Sequence, residues 1–152
     1  MHSNTIPEIL LIEDDNNDAN LIIRTLKKIN LANNIVRLKD GEEALDFLFG
    51  RNEFAGRDIH NVPRVILLDI KMPKVDGIEV LRQLKMNEVT KLIPVVIMTS
   101  SKEECDIIDS YNLGVSSFVV KPVEFESFAQ AVSQVGMYWL LTNQPPIKTF
   151  AK

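Results

Sequence analysis

The sequence predicts an α/β fold in which a five-stranded parallel sheet is wound on both faces by five helices. Three observations carry this reading. Four short runs are apolar without a break: Ile9 to Ile12, Val65 to Leu68, Val95 to Met98 and Phe118 to Val120. The stretches between them place apolar residues at steps of three and four, the spacing of one helix face. The two patterns alternate along the chain, as right-handed parallel crossovers require. Unbroken apolarity means strands covered on both faces, which is the condition of a parallel sheet held between helix layers.

In chain order, Ile9 to Ile12 forms the first strand, and Ala19, Ile22, Ile23, Leu26 and Ile29 give the first helix its apolar stripe. A weaker run, Ile35-Val36-Arg37-Leu38, makes the second strand, and Ala44, Leu45 and Leu48 mark the second helix. Gly50 to Val62 is a long polar connection carrying Arg51, Asn52, Glu53, Arg57, Asp58 and His60. It reads either as a surface loop or, in part, as an extension of the second helix. After the strand at Val65, Ile78, Val80, Leu81 and Leu84 define the third helix. The fourth helix carries Ile107, Ile108 and Tyr111, and its start is signalled by Ser101 followed three residues later by Glu104, the capping-box pattern. The last helix is expected from about Glu124 to Leu141, and the tail with Pro145 and Pro146 cannot continue it. The expected strand order is 2-1-3-4-5, the flavodoxin-like arrangement. Ligands of such sheets sit beyond the carboxyl ends of the strands, where the order reverses.

A chain of 152 residues fits one domain, with a core from about 8 to 141 and an extension from 142 to 152. The net charge of -4 leaves no large basic surface for a nucleic-acid backbone, so nucleic acid is not an expected partner. The single cysteine, Cys105, excludes an intramolecular disulfide and fits a reducing cytoplasm. Residues 1–12 lack the pattern of a signal peptide, and no apolar run approaches the ~20 residues of a membrane helix, so a membrane is not expected either. The six glycines are scattered, which removes a glycine-rich nucleotide or flavin loop from consideration.

The chemistry gathers at the strand ends. Glu13-Asp14-Asp15 follows the first strand, Asp69 the third, Thr99-Ser100 the fourth and Lys121 the fifth. A lone aspartate after a strand is ordinarily a turn or cap residue, but the fold brings all four groups to one edge. Carboxylates gathered there repel one another and need a compensating cation. Magnesium suits them, since it takes a few protein oxygens and leaves positions for water and phosphate. Asp14 and Asp69 are the expected direct ligands, with the longer Glu13 acting through a bound water. A carboxylate held in line with a phosphoryl donor is also a nucleophile, and Asp69 is best placed for that role. Phosphoryl transfer then needs a cation and a hydroxyl to neutralise the equatorial oxygens, which Lys121 and Thr99 supply.

From Ile9 to about Val135 this series resembles the receiver domains of two-component response regulators. The resemblance rests on the acidic pair Glu13-Asp14, the run Leu67-Leu68-Asp69-Ile70-Lys71-Met72-Pro73, the turn Pro73-Lys74-Val75-Asp76-Gly77, Thr99, and Val120-Lys121-Pro122. It implies Mg2+ held by Glu13, Asp14, Asp69 and the Lys71 carbonyl, a cis Lys121-Pro122 bond, and a switch made of Thr99 and Phe118. It also implies phosphorylation of Asp69 by a sensor histidine kinase and output through the face formed by the fourth helix, fifth strand and fifth helix. In this reading the protein is a signalling domain that catalyses only its own phosphorylation and dephosphorylation. Glu13 and Lys71 depart from the commonest pattern, and the Lys71 side chain is expected to reach the phosphoryl group or pair with Glu13.

No output module is expected after the receiver. The apolar end, with Val135, Met137, Tyr138, Trp139, Leu140 and Leu141, suggests a homodimer interface. Together with the enlarged Gly50 to Val62 segment, it resembles regulators that partner phytochrome-type histidine kinases of bacteria. The rival reading is a phosphatase of the haloacid-dehalogenase type. That family places a second aspartate two residues after the nucleophile, where this chain has Lys71, and takes its other acids from late in the sequence. His2 and His60 receive no role, and Cys105 reads as an ordinary helix thiol.

Overall fold

In the computed structural model, which describes residues 9–28, 34–72 and 74–134, five parallel strands form one sheet in the order β2-β1-β3-β4-β5. The strands are β1 (Ile9–Ile12), β2 (Ile35–Leu38), β3 (Val65–Asp69), β4 (Val95–Thr99) and β5 (Ser117–Val120). The helices are α1 (Asn16–Lys28), α2 (Gly41–Phe49), α3 (Gly77–Met86), α4 (Lys102–Ser110) and α5 (Phe125–Gln134). The expected order is therefore found. Two ends are shifted by one residue in an informative way: Asp69 and Thr99 are the last residues of β3 and β4, hydrogen-bonded into the sheet rather than following it.

Every residue of β1, β3 and β4 is buried, because strand residues alternate between two apolar layers. Leu10, Ile12, Ile66, Leu68, Val95 and Ile97 face a layer built from α2, α3 and α4. Ile9, Leu11, Val65, Leu67, Val96 and Met98 face the layer of α1 and α5. The edge strand β2 is covered less completely, which accounts for its weaker apolar signature.

Local chemistry sets the helix ends. Asp40 caps α2 by accepting from the Glu43 amide at 2.8 Å, and Gly50 ends that helix in the left-handed region at φ 65°. That glycine closes off the alternative of a longer second helix. The Gly50 to Val62 segment instead contains a single 3-10 turn, Asn52–Phe54, whose Phe54 ring meets Phe47 edge to face at 5.2 Å. Arg57 pins the segment to α2, its guanidinium 4.0 Å over the Phe47 ring and donating to the Phe47 carbonyl. The first helix is described to Lys28, so Ile29 lies outside the described residues, as does Val135–Leu141 of the expected last helix.

Asp76 caps α3, and the first residue of that helix, Gly77, sits against the end of β3. A Cβ there would stand 2.4 Å from the Asp69 carbonyl oxygen and 2.8 Å from the Ile70 Cα, both backbone atoms. The helix can start this close to the strand only without a side chain. Gly77→Ala should therefore lower stability in urea unfolding by about 1–3 kcal/mol. Gly56→Ala, where nothing lies within 4 Å, should change it by less than about 0.5 kcal/mol.

Candidate functional site

The carboxyl ends of β1, β3, β4 and β5 open on a cleft of about 240 Å³ lined by Glu13, Asp14, Asp15, Asp18, Asp69, Lys71, Ser100, Glu104 and Lys121. Six carboxylates and two ammonium groups thus face one small space. The three consecutive acids after β1 are doing different things. Asp15 is a cap: its Oδ1 accepts from the Asp18 amide at 2.8 Å and its carbonyl from Ala19, which starts α1. Glu13 is fully buried and Asp14 is exposed. The turn that carries them is held by Arg37 of β2, which donates through Nε and Nη2 to the Glu13 carbonyl at 2.9 and 2.6 Å and through Nη1 to Asn16.

Lys121 is delivered by β5, whose end is tied to β4 by the Lys121 amide donating to the Thr99 carbonyl at 2.8 Å. Its Nζ lies 2.8 Å from Glu13 Oε1, 3.1 Å from Asp69 Oδ1 and 3.1 Å from Asp18 Oδ2. The Lys121-Pro122 bond is cis, as the resemblance implies. Burial alone would lower the Lys121 pKa, but contact with Glu13 and the charge of Asp69 outweigh it and raise the pKa, so the ammonium stays charged.

The same burial acts on Asp69 in the other direction. Desolvation, then the neighbouring Glu13 charge, push its carboxyl up to about 7 against the opposing pull of Lys121. One ammonium is not enough for the carboxylates around it. Glu13 Oε1 forms an ion pair with Lys121 Nζ at 2.8 Å but finds no hydrogen-bond partner among the described residues. Glu13, Asp14 and Asp69 each offer an oxygen within 4.8 Å of the others. A buried oxygen lacking a hydrogen bond, a carboxyl raised by its neighbours and an oxygen-only donor set together fit a hard divalent cation.

Thr99 is buried, and its hydroxyl is engaged with the loop that opens α4. It donates toward the Ser101 carbonyl at 3.0 Å and toward Glu104 Oε1, and accepts from the Ser101 amide at 3.2 Å. Phe118 stands apart from the cleft, half-buried against the layer that contains Ile97 and Ile108. Of the two partners expected for the Lys71 side chain, the phosphoryl group or Glu13, the pairing with Glu13 is not formed. Lys121 occupies Glu13, and Lys71 Nζ lies 2.8 Å from Glu104 Oε2. Lys71 and Thr99 hold the Glu104 carboxyl down to about 2. Three participants, Asp18, Arg37 and Glu104, escaped the sequence reading. In the sequence Glu104 shows only as half of a capping box and Arg37 only as the polar residue of the second strand, while Asp18 carries no signal.

This fold and site define a class, and the comparisons with known proteins give the same one. The response regulator receiver domain model matches residues 9–133, and the chain belongs to that family. Rcp1, a response regulator of Synechocystis, is 37% identical over 146 residues, 95% of this chain and 96% of its own. The probable methanogenesis regulatory protein FilR2 of Methanothrix harundinacea is 41% identical over 91% of this chain and 86% of its own. Two bacteriophytochrome response regulators of known structure, RtBRR and AtBRR, superpose with TM-scores of 0.84 at 43% and 46% identity. They cover 97% and 92% of this chain, and 88% and 99% of their own. The Mn(2+)-bound form of Rcp1 aligns at a TM-score of 0.69 and 34% identity over 93% of this chain and all of its own.

The chain is therefore a two-component signalling domain related to phytochrome response regulators, and the phosphatase reading finds no support. Receiver domains accept phosphoryl groups on an aspartate from histidine kinases and bind a divalent metal. Among the described residues, no helix is long and apolar enough to cross a membrane.

The raised Asp69 carboxyl has a measurable consequence. A folded-state pKa of about 7 against an ordinary value of 3.8 means that the fold tolerates protonated Asp69 and is opposed by its charge. That contribution favours folding fully below about pH 4 and is lost as pH rises through 7. In a chelator, Asp69→Asn should melt like the wild type near pH 4 and be more stable by on the order of 2 kcal/mol at pH 8. A millimolar divalent cation should remove the difference by stabilising the wild type alone.

Proposed function

We propose that Asp69 is the phosphoacceptor of this receiver, and that the protein passes on its phosphorylation state by a change of shape at the α4, β5 and α5 face. The observation that carries this is that Asp69, the last residue of β3, shares the Lys121 ammonium with the buried Glu13. An Asp69 oxygen attacks the phosphorus of a phosphohistidine, the bond from phosphorus to the imidazole nitrogen breaks, and an acyl phosphate results. In this reading Lys121, 3.1 Å from Asp69, neutralises one phosphoryl oxygen, and the Thr99 hydroxyl turns from Glu104 to donate to another.

Magnesium is the proposed cation, held by Glu13, Asp14, Asp69 and the Lys71 carbonyl, with Glu13 acting through water. When bound, it neutralises carboxylate and phosphoryl charge together. Hydrolysis returns the Asp69 carboxylate and inorganic phosphate, so the only reactions catalysed are the domain's own phosphorylation and dephosphorylation.

Thr99 and Phe118 form the proposed switch: as the hydroxyl turns to the phosphoryl group, the Phe118 ring repacks, and α4 shifts with it. Exposed Ile107 on α4, Tyr111 just after it and Val120 on β5 support this face as the output surface. The relatives named for phytochromes support a bilin-photoreceptor histidine kinase as phosphoryl donor. The net charge of -4 supports a protein partner rather than nucleic acid, and the lone cysteine a cytoplasmic setting. Residues 1–152 form one domain in this reading. A homodimer through the apolar segment Val135–Leu141 completes it.

Incubated with acetyl phosphate and magnesium, the wild type should gain one phosphoryl group by intact mass. Asp69→Asn and a chelator-treated sample should gain none. Labelling of Asp69→Asn to the wild-type extent would defeat the assignment. Light scattering at micromolar concentration should give about twice the monomer mass of 17.2 kDa, and a monomer would defeat the dimer.

A further inference from the structure

We propose that Glu104 is a positioning residue of this switch: its carboxylate holds the Thr99 hydroxyl on the α4 loop in the unmodified protein, and a phosphoryl group on Asp69 releases that hold by drawing Lys71 away. The inference rests on Asp69 being the phosphoacceptor and adds to it a competitor for the switch hydroxyl.

A threonine hydroxyl has one proton to donate. Here two acceptors already share it, the Ser101 carbonyl at 3.0 Å and Glu104 Oε1. The phosphoryl oxygen would be a third. The Glu104 bond is the stronger competitor, because its acceptor is ionised and charge-assisted hydrogen bonds are about twice as strong as neutral ones. Thr99 must give up this bond before it can stabilise the phosphorylated state.

The Glu104 carboxylate does not close a capping box. In a capping box the third residue of the helix returns its carboxylate to the amide of the cap residue. Ser101 does cap α4, accepting from the Glu104 amide at 3.3 Å, but the return bond is missing. The Ser101 amide donates to Thr99 Oγ1 instead, and the Glu104 carboxylate reaches past it to the Ser100 amide at 3.1 Å and the Thr99 hydroxyl. The carboxylate is thus displaced toward the cleft that it shares with Asp69 and Lys71.

Lys71 supplies the coupling. It follows Asp69 by two residues, pairs with Glu104 Oε2 at 2.8 Å, and its side chain is 75% exposed and free to swing. Phosphorylation replaces the single charge of the Asp69 carboxylate with an acyl phosphate of about two negative charges in the same cleft. Lys71 then has a more highly charged partner than Glu104, and Glu104 loses the cation that fixes its orientation. Loss of the Thr99 bond and loss of the ion pair reinforce each other, and both act on a residue of α4, the helix of the output face.

The test uses beryllofluoride with magnesium as the phosphoryl mimic, titrated into the full chain and followed by NMR. Glu104→Ala should bind it about tenfold more tightly than the wild type, and Glu104→Gln, a neutral acceptor that keeps the helix start, about threefold. Removing a negative charge from the cleft could raise affinity by itself, so the same substitution is made in Thr99→Ala. There the gain should shrink to less than about twofold, because Glu104 acts through the hydroxyl. Without magnesium or beryllofluoride, scalar couplings should show one Thr99 rotamer in the wild type and averaging in both Glu104 variants.

A wild type that binds beryllofluoride beside a Glu104→Ala protein that binds no tighter would overturn the hold, as would an undiminished gain in the Thr99→Ala background. A wild type that fails to bind would instead defeat the phosphoacceptor reading. The rotamer measurement then decides the hold alone, and an unchanged Thr99 rotamer in both variants overturns it.

Discussion

The Lys121 ammonium, within 3.1 Å of oxygens on Glu13, Asp69 and Asp18, is the contact on which the rest of the site depends. Without it, two buried carboxylates would face each other in a low-dielectric pocket, and at least one would be protonated at neutral pH. With it, Asp69 is poised near neutrality rather than fully ionised, and the cleft still carries more negative than positive charge. That imbalance makes a divalent cation part of the working protein. In the proposed function, the binding of ion and phosphoryl group relieves this imbalance and supplies the energy that moves Thr99.

Most of the fold was legible because a parallel sheet leaves a simple trace. The unbroken apolar runs of β1, β3 and β4 report burial on both faces, and these strands lie where the sequence places them. The edge strand β2 was weaker in sequence because it is less covered. The Gly50 to Val62 segment stayed ambiguous because its order comes from tertiary contacts. The Arg57 guanidinium over Phe47 and the Phe47–Phe54 ring pair join residues whose spacing carries no periodic signal.

Within the site, the residues on strand ends were readable and those that orient them were not. Glu13, Asp14, Asp69 and Lys121 converge because the sheet order forces them together. Asp15 turned out to be the cap that a lone post-strand aspartate usually is. Of the two roles the sequence offers the Lys71 side chain, reaching the phosphoryl group or pairing with Glu13, the second is not formed, because Lys121 holds Glu13 and Lys71 pairs with Glu104. Glu104 was hidden by a motif that explained it too well. The capping box accounts for the Ser101 side chain, yet not for a carboxylate that turns to Thr99.

The Thr99 hydroxyl is bonded to Glu104 on the α4 side, and the proposed phosphoryl group on Asp69 would compete for it. A crystal structure with magnesium and beryllofluoride addresses the whole arrangement at once. The expected result is the mimic on Asp69, the ion among Glu13, Asp14 and Asp69, Lys121 on a fluoride, and the Thr99 hydroxyl turned to the mimic. An empty cleft in saturating ligand, with Lys121 still bridging Glu13 and Asp18, would contradict it.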